Sequence, residues 1–291
     1  MRYNDANTYF KNRFGHKMYK AAISLDVTCP NRDGTKGVGG CAFCSAGGSG
    51  EFAADRKMTV TEQIDEAVRR LDSKVPEDTG YIAYFQSFTG TYCDPEYLRE
   101  ALEEARSHPK VEALAIGTRP DCLPEDILQV LKETSSKIPL MVELGLQTSD
   151  DKTAESFGRG YETHEYIKAV KDLKAAGCEV ITHVIFGLPG ESKDQMMSSV
   201  RTAVDAGTDG IKFTCLYILK GTRYEKEWEE GRIEVLSMEE YFDIVEEALK
   251  ILPSDVIVHR LTGDGPKSLL QDPMWTANKR NVINYINKRF S

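Results

Sequence analysis

Six short apolar segments with strand character alternate with helical segments between residues 21 and 219. The predicted strands cover residues 21–27, 81–88, 111–117, 139–146, 179–186 and 210–219. Strands that alternate with helices indicate a parallel sheet, because each return of the chain needs a crossover connection. Such a sheet is wound either as a barrel or as an open, doubly wound sheet. A closed barrel needs eight strand–helix units, and the alternation weakens after residue 219. We therefore favour an α/β fold, a partial TIM-type barrel of six units, (βα)6.

Polar residues mark the beginnings of the helices between these strands. Thr59 with Glu62, and Ser192 with Gln195, have the spacing of a capping box, and Thr163 is expected to cap another helix. Further helices are predicted over residues 95–106 and 124–133, where apolar residues recur at helical spacing. The strands between the helices are mostly apolar, which suits burial of both faces of the sheet.

Two flanking regions differ from this core of residues 21–220. Residues 1–20 combine basic and aromatic side chains. They indicate either an arm that packs its rings on the barrel or a surface for RNA phosphates and bases. Residues 221–291 contain a charged stretch, a helix that begins at Ser237, a short strand over 256–261 and a terminal helix. We expect this C-terminal extension to close the open side of the barrel.

Composition narrows the classes of protein that fit. A chain of 291 residues, of which 41% are hydrophobic, can bury the core of one large domain or two small ones. It has no apolar run long enough for a membrane span, and its first four residues open no signal peptide. Seven cysteines, an odd number, predict a cytoplasmic protein with free thiols. The net charge of −9 is not that of a general nucleic-acid binder, although it allows local contacts with RNA.

Three cysteines lie close together in a glycine-rich loop that follows the first predicted strand. Eleven residues separate Cys29 from Cys41, and two separate Cys41 from Cys44. Three thiolates suit a soft metal centre, either zinc or an iron–sulfur cluster. A structural zinc site usually takes four protein ligands, and no fourth Cys or His has zinc-finger spacing here. Three ligands leave one position open, as a catalytic cluster requires, but a zinc-stabilised binding protein stays an alternative.

The other candidate residues follow the carboxyl ends of the predicted strands, where parallel barrels place their chemistry. The second and third strands lead to the polar loop 86–92 and to the pair Arg119 and Asp121. The fourth strand carries Glu143 and Gln147, which need polar partners if they are buried. For Glu143 an internal hydrogen bond is the plain alternative to a binding role, whereas His183 is expected to be a core histidine with an internal partner rather than a ligand. Four further cysteines are expected to be small buried residues, and a second redox role for Cys93 and Cys122 is less favoured.

The last predicted strand is followed by an unusually polar segment. Arg260 and Asp264 lie in it, and we prefer a loop that faces the substrate over a purely structural turn. The Arg260 guanidinium could meet a phosphate or a carboxylate there.

The cysteine loop resembles the cluster-binding motif of radical S-adenosylmethionine (SAM) enzymes. In that superfamily an aromatic residue precedes the last cysteine, as Phe43 does here, and the usual gaps are three residues and then two. A widened first gap that opens with Cys-Pro-Asn-Arg-Asp-Gly is similar to a YhcC-like bacterial branch, which is related to the catalytic subunit of the Elongator complex. The resemblance implies a partial barrel in which the three cysteines bind three irons of a [4Fe–4S] cluster. SAM would bind the fourth iron.

The same resemblance implies which residues contact SAM. The loop 86–92 occupies the place of a glycine-rich motif that meets the SAM amino group, although it departs from Gly-Gly-Glu. Segment 157–163 resembles an Asn-Arg-Gly-His-Thr segment whose arginine lies near the SAM carboxylate, and the turn after the fifth strand resembles one that meets adenine. The implied cofactor-binding residues are Phe43, Gln86, Ser87, Thr89, Gly90, Glu143, Gln147, Arg159, Gly187, Pro189 and Gly190.

The resemblance also implies a reaction. A reduced cluster would donate one electron to SAM, and the resulting 5′-deoxyadenosyl radical would remove hydrogen from an unreactive carbon of the substrate. The implied electron donor is a flavodoxin or ferredoxin, and the implied substrate is a tRNA wobble-uridine side chain, with a small metabolite as the alternative. The expected substrate-binding residues are Arg119, Asp121, Arg260 and Asp264.

Overall fold

The computed structural model describes residues 3–48, 50, 53–72, 75–76, 78–263 and 265–290. Its strands are β1 (Met18–Ile23), β2 (Gly80–Phe85), β3 (Val111–Thr118), β4 (Leu140–Gln147), β5 (Glu179–Phe186), β6 (Gly210–Cys215), β7 (Ile218–Leu219), β8 (Ile257–Arg260) and β9 (Leu270–Asp272). Its helices are α1 (Ala6–Phe14), α2 (Val60–Asp72), α3 (Pro95–Ser107), α4 (Glu125–Ser135), α5 (Asp151–Ser156), α6 (Thr163–Ala175), α7 (Lys193–Ala206), α8 (Arg223–Glu229), α9 (Met238–Ile251) and α10 (Lys279–Phe290). Short 3₁₀ turns cover Pro120–Cys122 and Met274–Ala277.

One parallel sheet organises the fold, with the strand order β1-β2-β3-β4-β5-β6-β8. All neighbouring strands in it are parallel, and the sheet curls into an open half-barrel. The predicted partial barrel is therefore confirmed, with one strand more than expected. The short strand predicted near residue 256 is β8, which adds to the sheet beside β6. The last predicted core strand, 210–219, is shorter than expected because β6 ends at Cys215 and the chain then enters β7.

Alternation along β4 shows how the sheet separates its two faces. Leu140, Val142 and Leu144 belong to the large core between the sheet and the helices, whereas Met141 belongs to a smaller apolar cluster on the inner face. Because successive side chains of a strand point to opposite faces, Glu143 shares the inner face with Met141. The inner face of the half-barrel is thus apolar at the amino ends of the strands and becomes polar toward their carboxyl ends.

Helix α1 covers the amino end of the half-barrel. Phe10 packs into the inner apolar cluster with Met18, Ile82 and Ile181, and it contributes the buried ring of the helix. Asp5, which caps the helix, also forms an isolated parallel bridge with Val258 of the last sheet strand. Of the two readings of the N-terminal segment, the structure thus shows aromatic packing on the barrel.

The C-terminal region packs against the outside of the sheet and extends it. Tyr241 and Phe242 of α9 form an aromatic cluster with Trp275, and strands β7 and β9 form a small antiparallel sheet. None of the helices in the described ranges combines the length and apolar character that crossing a bilayer requires.

The helix starts were predicted with one error. The capping boxes at Ser192–Gln195 and Thr59–Glu62 are present, but the N-cap of α6 is Glu162, which forms a box with Glu165. Thr163 was the wrong cap because it is already the first helical residue. Its hydroxyl instead reaches Asp151, at 2.7 Å.

Candidate active site

The cysteine loop lies at the carboxyl end of the half-barrel, between β1 and α2. Backbone hydrogen bonds shape it into tight turns: Arg32 N–H donates to the Cys29 carbonyl at 2.8 Å, and Cys44 N–H donates to the Cys41 carbonyl at 2.8 Å. Gly40 has a φ of +88°, and a Cβ at this position would lie 3.0 Å from the Arg32 guanidinium. The loop therefore needs a glycine at position 40, both for the backbone and for the close approach of Arg32.

All three cysteines line one cavity, of about 140 Å³. The other residues that line it come from five segments of the chain and are Arg32, Gly40, Phe43, Gly48, Phe88, Thr89, Thr118, Arg119, Gln147, Arg159 and Tyr161. Of the residues predicted to bind cofactor or substrate, Phe43, Thr89, Gln147, Arg119 and Arg159 are thus brought together with the cysteines. We call this space the cysteine cavity.

Each cysteine sulfur in this cavity accepts a hydrogen bond from a nitrogen. Asn31 Nδ2 lies 3.3 Å from Cys41 Sγ, and Arg32 Nη2 lies 3.2 Å from Cys44 Sγ. Arg119 Nη1 lies 4.0 Å from the third sulfur, that of Cys29, at the outer limit for such a bond. These donors favour the thiolate form that binds metal. Sequence reasoning did not assign a role to Asn31 or Arg32, although their position inside the loop was a signal.

The free thiol of Cys41 is held protonated. Its pKa is raised to about 11, chiefly by burial and also by the neighbouring Cys44, against the opposing effects of the Asn31 hydrogen bond and the Arg119 charge. A soft metal that binds here must displace this proton, so that loading becomes easier as the pH rises. Among the described residues, no three His, Cys, Asp or Glu side chains converge on a point that would hold a single ion.

Asn31 joins the cysteine loop to segment 157–163. Its Nδ2 donates to the carbonyl oxygens of Gly158 and Arg159, at 2.7 and 3.1 Å. A Cβ on Gly160 would lie 2.9 Å from Asn31 Oδ1, and the φ of Gly160 is +79°. Only glycine at position 160 allows the two loops to meet this closely.

Arg159 is fully buried, with 1% of its surface exposed. Its five N–H groups all have acceptors: the carbonyl oxygens of Leu146, Thr148 and Tyr161, and the side chains of Asp151 and Thr163. The guanidinium also lies over the Tyr161 ring, at 4.7 Å from its centroid. Arg159 thereby ties the end of β4 to the loop before α6, and it presents positive charge beside the cysteine cavity.

Arg119 and Asp121 form a bidentate ion pair, with Nε–Oδ1 and Nη2–Oδ2 distances of 2.9 and 2.8 Å. Lys36 adds a second cation, 2.7 Å from Asp121 Oδ2. Although burial raises the pKa of Asp121, the bonds from Arg119 and Lys36 bring it below its usual value. Asp121 therefore stays ionised, and it holds Arg119 in place beside Cys29.

Two residues in the cysteine cavity have a backbone conformation that is unusual for their type. Phe88 and Gln147, with φ of +55° and +61°, are the non-glycine residues with positive φ in the described part of the chain. Phe88 N–H donates to the Gly48 carbonyl at 2.8 Å. A Cβ on Gly48 would lie 2.3 Å from the Phe88 ring. Such conformations cost free energy and cluster at functional sites, which supports a functional role for this cavity.

The other predicted residues of the loop after β2, which are Gln86, Ser87 and Gly90, form hydrogen bonds within the protein. The Ser87 hydroxyl lies 2.6 Å from that of Ser24 in the buried interior. Gly90 N–H donates to the Gly117 carbonyl, at 2.9 Å, and Gln86 N–H donates to the Ile23 carbonyl, at 3.1 Å. Their backbone groups are tied to neighbouring strands, which fixes the position of Thr89 in the cavity.

The turn after β5 contains a buried carboxylate that sequence reasoning missed. Gly187 and Gly190 both have positive φ, with Pro189 between them, and Glu191 follows. Thr148 donates a hydrogen bond to Glu191 Oε1, but Oε2 is buried and has no partner among the described residues. Burial raises the pKa of Glu191 to about 7. In the sequence, the one signal for Glu191 was its position at the end of the Gly-Leu-Pro-Gly-Glu turn.

Glu143 lies on the inner face and accepts hydrogen bonds from four side chains. Lys20 binds Oε1, Lys212 and His183 bind Oε2, and the Tyr84 hydroxyl lies 2.5 Å from Oε2. The three cationic or ionisable partners lower the pKa of Glu143 well below its usual value, although burial raises it. His183 has an internal hydrogen-bond partner, as expected. We call Glu143 and these four side chains the lumen cluster.

Arg260 continues this row of side chains at the edge of the sheet. A β-bulge between β6 and β8 aligns Lys212 with Arg260, and Lys212 is also aligned with His183 of β5. Asp264, the other residue predicted in this loop, lies outside the described residues. A separate cavity of about 650 Å³ outside the barrel is lined by Cys93 and Cys122 among others.

The sequence profile of the Radical SAM superfamily matches residues 29–203, and that of the Radical_SAM C-terminal domain matches residues 208–291. The chain belongs to the radical SAM superfamily. Relatives agree with this assignment. The Uncharacterized protein YtqA of Bacillus subtilis is 43% identical over 99% of this chain and 89% of that protein. Protein YhcC of Escherichia coli is 34% identical over 92% of this chain and 85% of that protein.

More distant similarities concern parts of longer proteins. A tRNA uridine(34) acetyltransferase of Methanocaldococcus jannaschii is 31% identical over 65% of this chain, which corresponds to 35% of that protein. The solved structure of Methanocaldococcus infernus Elp3 with an N-terminal deletion superposes with a TM-score of 0.69 at 20% identity. It covers 94% of this chain and 63% of that chain, and it shows that the fold is shared.

As a radical SAM enzyme, the protein uses a [4Fe–4S] cluster and SAM and requires a reductant. The residues on the cysteine cavity fit these groups. Three thiols match the ligands of an iron–sulfur cluster, and N–H groups lie beside their sulfurs. Glycines at positions 40, 48 and 160 let Arg32, Phe88 and Asn31 pack closely around the cysteine loop.

Proposed function

We propose that this radical SAM enzyme modifies the side chain of the wobble uridine of tRNA, with a carboxymethylaminomethyl group as the substrate class. The observation that carries the proposal is the similarity to a protein named as a tRNA uridine(34) acetyltransferase, which extends over 65% of this chain. A radical enzyme that acts on a small metabolite is the second candidate. It is favoured by the net charge of −9, which gives the chain no general attraction for RNA phosphates.

The proposed cluster ligands are Cys29, Cys41 and Cys44. Their common cavity and their hydrogen-bond donors support this assignment. When bound, the cluster and SAM supply a radical that can remove hydrogen from an unreactive carbon. Asn31 and Arg32 contribute by donating hydrogen bonds to the sulfurs, which tunes the reduction potential. A flavodoxin or ferredoxin is the proposed reductant.

The proposed SAM contacts divide into those on the cysteine cavity and those around it. Phe43, Thr89 and Gln147 line the cavity, which supports direct contact with SAM. For Gln86, Ser87 and Gly90, and for the turn 187–190, the role in SAM binding stays a prediction. Glu143 already accepts hydrogen bonds from the four other side chains of the lumen cluster, which favours a role other than binding the SAM ribose.

Two arginines on the cysteine cavity could meet the SAM carboxylate. Arg159 was predicted for this role from segment 157–163, but each of its N–H groups already has an acceptor in the protein. Arg119 lines the cavity, and its Nη1 is 4.0 Å from the Cys29 sulfur, at the outer limit of a hydrogen bond. We therefore propose that Arg119 contacts the carboxylate, and that Arg159 positions the end of β4 and adds positive charge.

The test of the tRNA role uses the full chain, reconstituted without oxygen and supplied with SAM, dithionite and tRNA from cells that lack the gene. Mass spectrometry of the nucleosides should show conversion of carboxymethylaminomethyluridine, together with 5′-deoxyadenosine. Cys41→Ala should abolish both signals, and Cys93→Ala, outside the cysteine cavity, is the matched control. If 5′-deoxyadenosine forms while every nucleoside stays unchanged, the tRNA proposal is wrong and the small-metabolite candidate takes its place.

A further inference from the structure

The lumen cluster and Arg260 hold more positive than negative charge. Among the described residues, the ammonium groups of Lys20 and Lys212 share one carboxylate, that of Glu143, and no carboxylate pairs with Arg260. Tyr84 is neutral, because burial and Glu143 raise its pKa well above 10. Burial lowers the pKa of Lys212 well below its usual value, although Glu143 opposes this. Without Lys212, two basic side chains, Lys20 and Arg260, accompany one acid on the inner face of the barrel.

The two histidines at the cluster add no positive charge. The pKa of His183 is lowered to about 4, chiefly by burial and also by Lys212 and Arg260, against the opposing effect of Glu143. The pKa of His259 is lowered to about 3, again chiefly by burial, with Lys20 and Lys212 as further causes. Both imidazoles are thus neutral near pH 7, and the charge at this place is that of the basic side chains and Glu143. A negatively charged ligand would be stabilised at this place.

The lumen cluster also borders open space. His183 lies on a central strand, yet 32% of its side chain is exposed, and 28% of the Lys20 side chain is exposed. Arg260 is exposed as well. Lys212 and Glu143, by contrast, are 4% and 0% exposed. The cluster therefore has a buried base and an open side that a ligand can reach.

Small residues separate the lumen cluster from the cysteine cavity. On β4, Gly145 lies between Glu143 and Gln147, and the Gln147 amide occupies the space beside it, since a Cβ on Gly145 would lie 2.3 Å from Gln147 Nε2. Gly117 of β3 is aligned with Glu143. A Cβ on Gly117 would meet its nearest neighbours at 3.6 Å or more, so that this position leaves room. Four residues of strand separate the two sites by about 13 Å. A ligand anchored at the cluster would therefore extend toward the cysteine cavity on the Gly117 side of this face and would meet the Gln147 amide there.

We propose that the lumen cluster and Arg260 bind a carboxylate of the substrate and so orient its other end toward the cysteine cavity. The inference rests on the proposed function, and it narrows the substrate to a uridine side chain that ends in a carboxylate. Lys20 and Arg260 reach the open side and contact the ligand. Lys212, which is buried against Glu143, holds the Glu143 carboxylate in place beneath them.

The test measures binding of two probes to the full, cluster-loaded chain in the presence of SAM. The probes are carboxymethylaminomethyluridine and its amide, which has the same shape and no negative charge. Calorimetry should show that the acid binds roughly tenfold to a hundredfold more tightly than the amide, the range expected for a hydrogen-bonded charge pair. Equal binding of acid and amide, or no binding of either, would overturn the proposal.

Matched variants assign this preference to residues. Arg260→Gln and Lys20→Gln should reduce the ratio of acid to amide binding toward one, whereas Lys17→Gln and Arg280→Gln, on exposed surfaces, should keep it. Retention of the full preference in both Arg260→Gln and Lys20→Gln would also overturn the proposal. Arg260 is exposed, so that its variant should fold even if that of Lys20 does not.

Failure of this inference can be told apart from failure of the tRNA proposal. Selective binding of the acid by a protein that leaves tRNA unchanged would refute the tRNA role and support the carboxylate site. Conversion of tRNA nucleosides by a protein that binds acid and amide equally would support the tRNA role and refute the carboxylate site.

Discussion

Strand β4 contributes Glu143 to the lumen cluster and Gln147 to the cysteine cavity, but the two sites are built in opposite ways. The cavity is formed by irregular loops with left-handed residues, such as Gly40 and Phe88, and side chains donate hydrogen bonds to its sulfurs. The cluster is formed by regular strands whose register brings Lys20, Glu143 and Lys212 together. The comparison teaches that loops carry the cofactor chemistry, while the sheet itself carries the recognition of charge.

The largest effect should come from removing one cluster ligand. Cys41→Ala removes one of three thiolates, and we expect loss of the iron–sulfur cluster and of all 5′-deoxyadenosine formation. Iron and sulfide analysis of anaerobically prepared protein checks this, with Cys93→Ala as the control. A Cys41→Ala protein with full cluster content would show that the cavity does not hold the cluster.

A large loss of stability should follow when the lumen cluster loses its carboxylate. Glu143→Gln leaves Lys20 and Lys212 close together without a counter-charge, and breaking a buried pair in this way costs about 3–5 kcal/mol. Chemical denaturation measures the free energy of unfolding. The control is Glu112→Gln, which breaks the partly exposed pair with His16 and should cost less than about 1 kcal/mol. If the two variants lose the same free energy of unfolding, the ion pairs of Glu143 contribute no more to stability than a partly exposed pair does.

A smaller effect should appear in the pH dependence of stability. The pKa of His183 is lowered to about 4 in the folded chain from its usual 6.5, so the unfolded chain binds the proton more readily. The neutral His183 ring therefore makes its full contribution to the free energy of unfolding above pH 6.5. This contribution is lost as the pH falls toward 4.

After allowance for a partly exposed ring, we expect a loss of about 1–2 kcal/mol over this range. Thermal unfolding at pH 7 and pH 4.5 measures this loss. The difference in stability between the two pH values should be smaller in His183→Gln than in the unmodified chain. An unchanged difference in the variant would assign the pH dependence to other groups.

The smallest effect should concern the reduction potential of the cluster. Asn31→Ala removes the N–H that lies 3.3 Å from Cys41 Sγ. Because such a bond stabilises the more negative, reduced cluster, its loss should lower the midpoint potential by a few tens of millivolts, roughly 1 kcal/mol or less. Redox titration followed by EPR measures the shift. A higher potential in the variant would contradict the assigned hydrogen bond.

The sequence predicted the cysteine cavity better than the lumen cluster, and the reason is physical. Cys29, Cys41 and Cys44 are close in the chain, so a local motif places them together. Lys20 and Lys212 are 123 and 69 residues from Glu143, and their contacts depend on the register of several strands. Sequence periodicity gave the strands but not that register.

Two further features escaped prediction for related reasons. Glu162 takes the place of Thr163 as the cap of α6, although threonine is a preferred residue type there, because the backbone is already helical at Thr163. The buried acceptors of Arg159 were also not predicted, because the carbonyl oxygens of Leu146 and Thr148 come close to it only in the folded chain. Neither environment can be derived from neighbouring residues in the sequence.

The central claim is that Cys29, Cys41 and Cys44 hold one [4Fe–4S] cluster with an open position for SAM. EPR spectroscopy of the reduced, anaerobically reconstituted chain, with and without SAM, tests it most directly. We predict a cluster signal that changes when SAM is added and that is absent in Cys41→Ala. A signal that SAM leaves unchanged, or that persists without the Cys41 thiol, would contradict the claim.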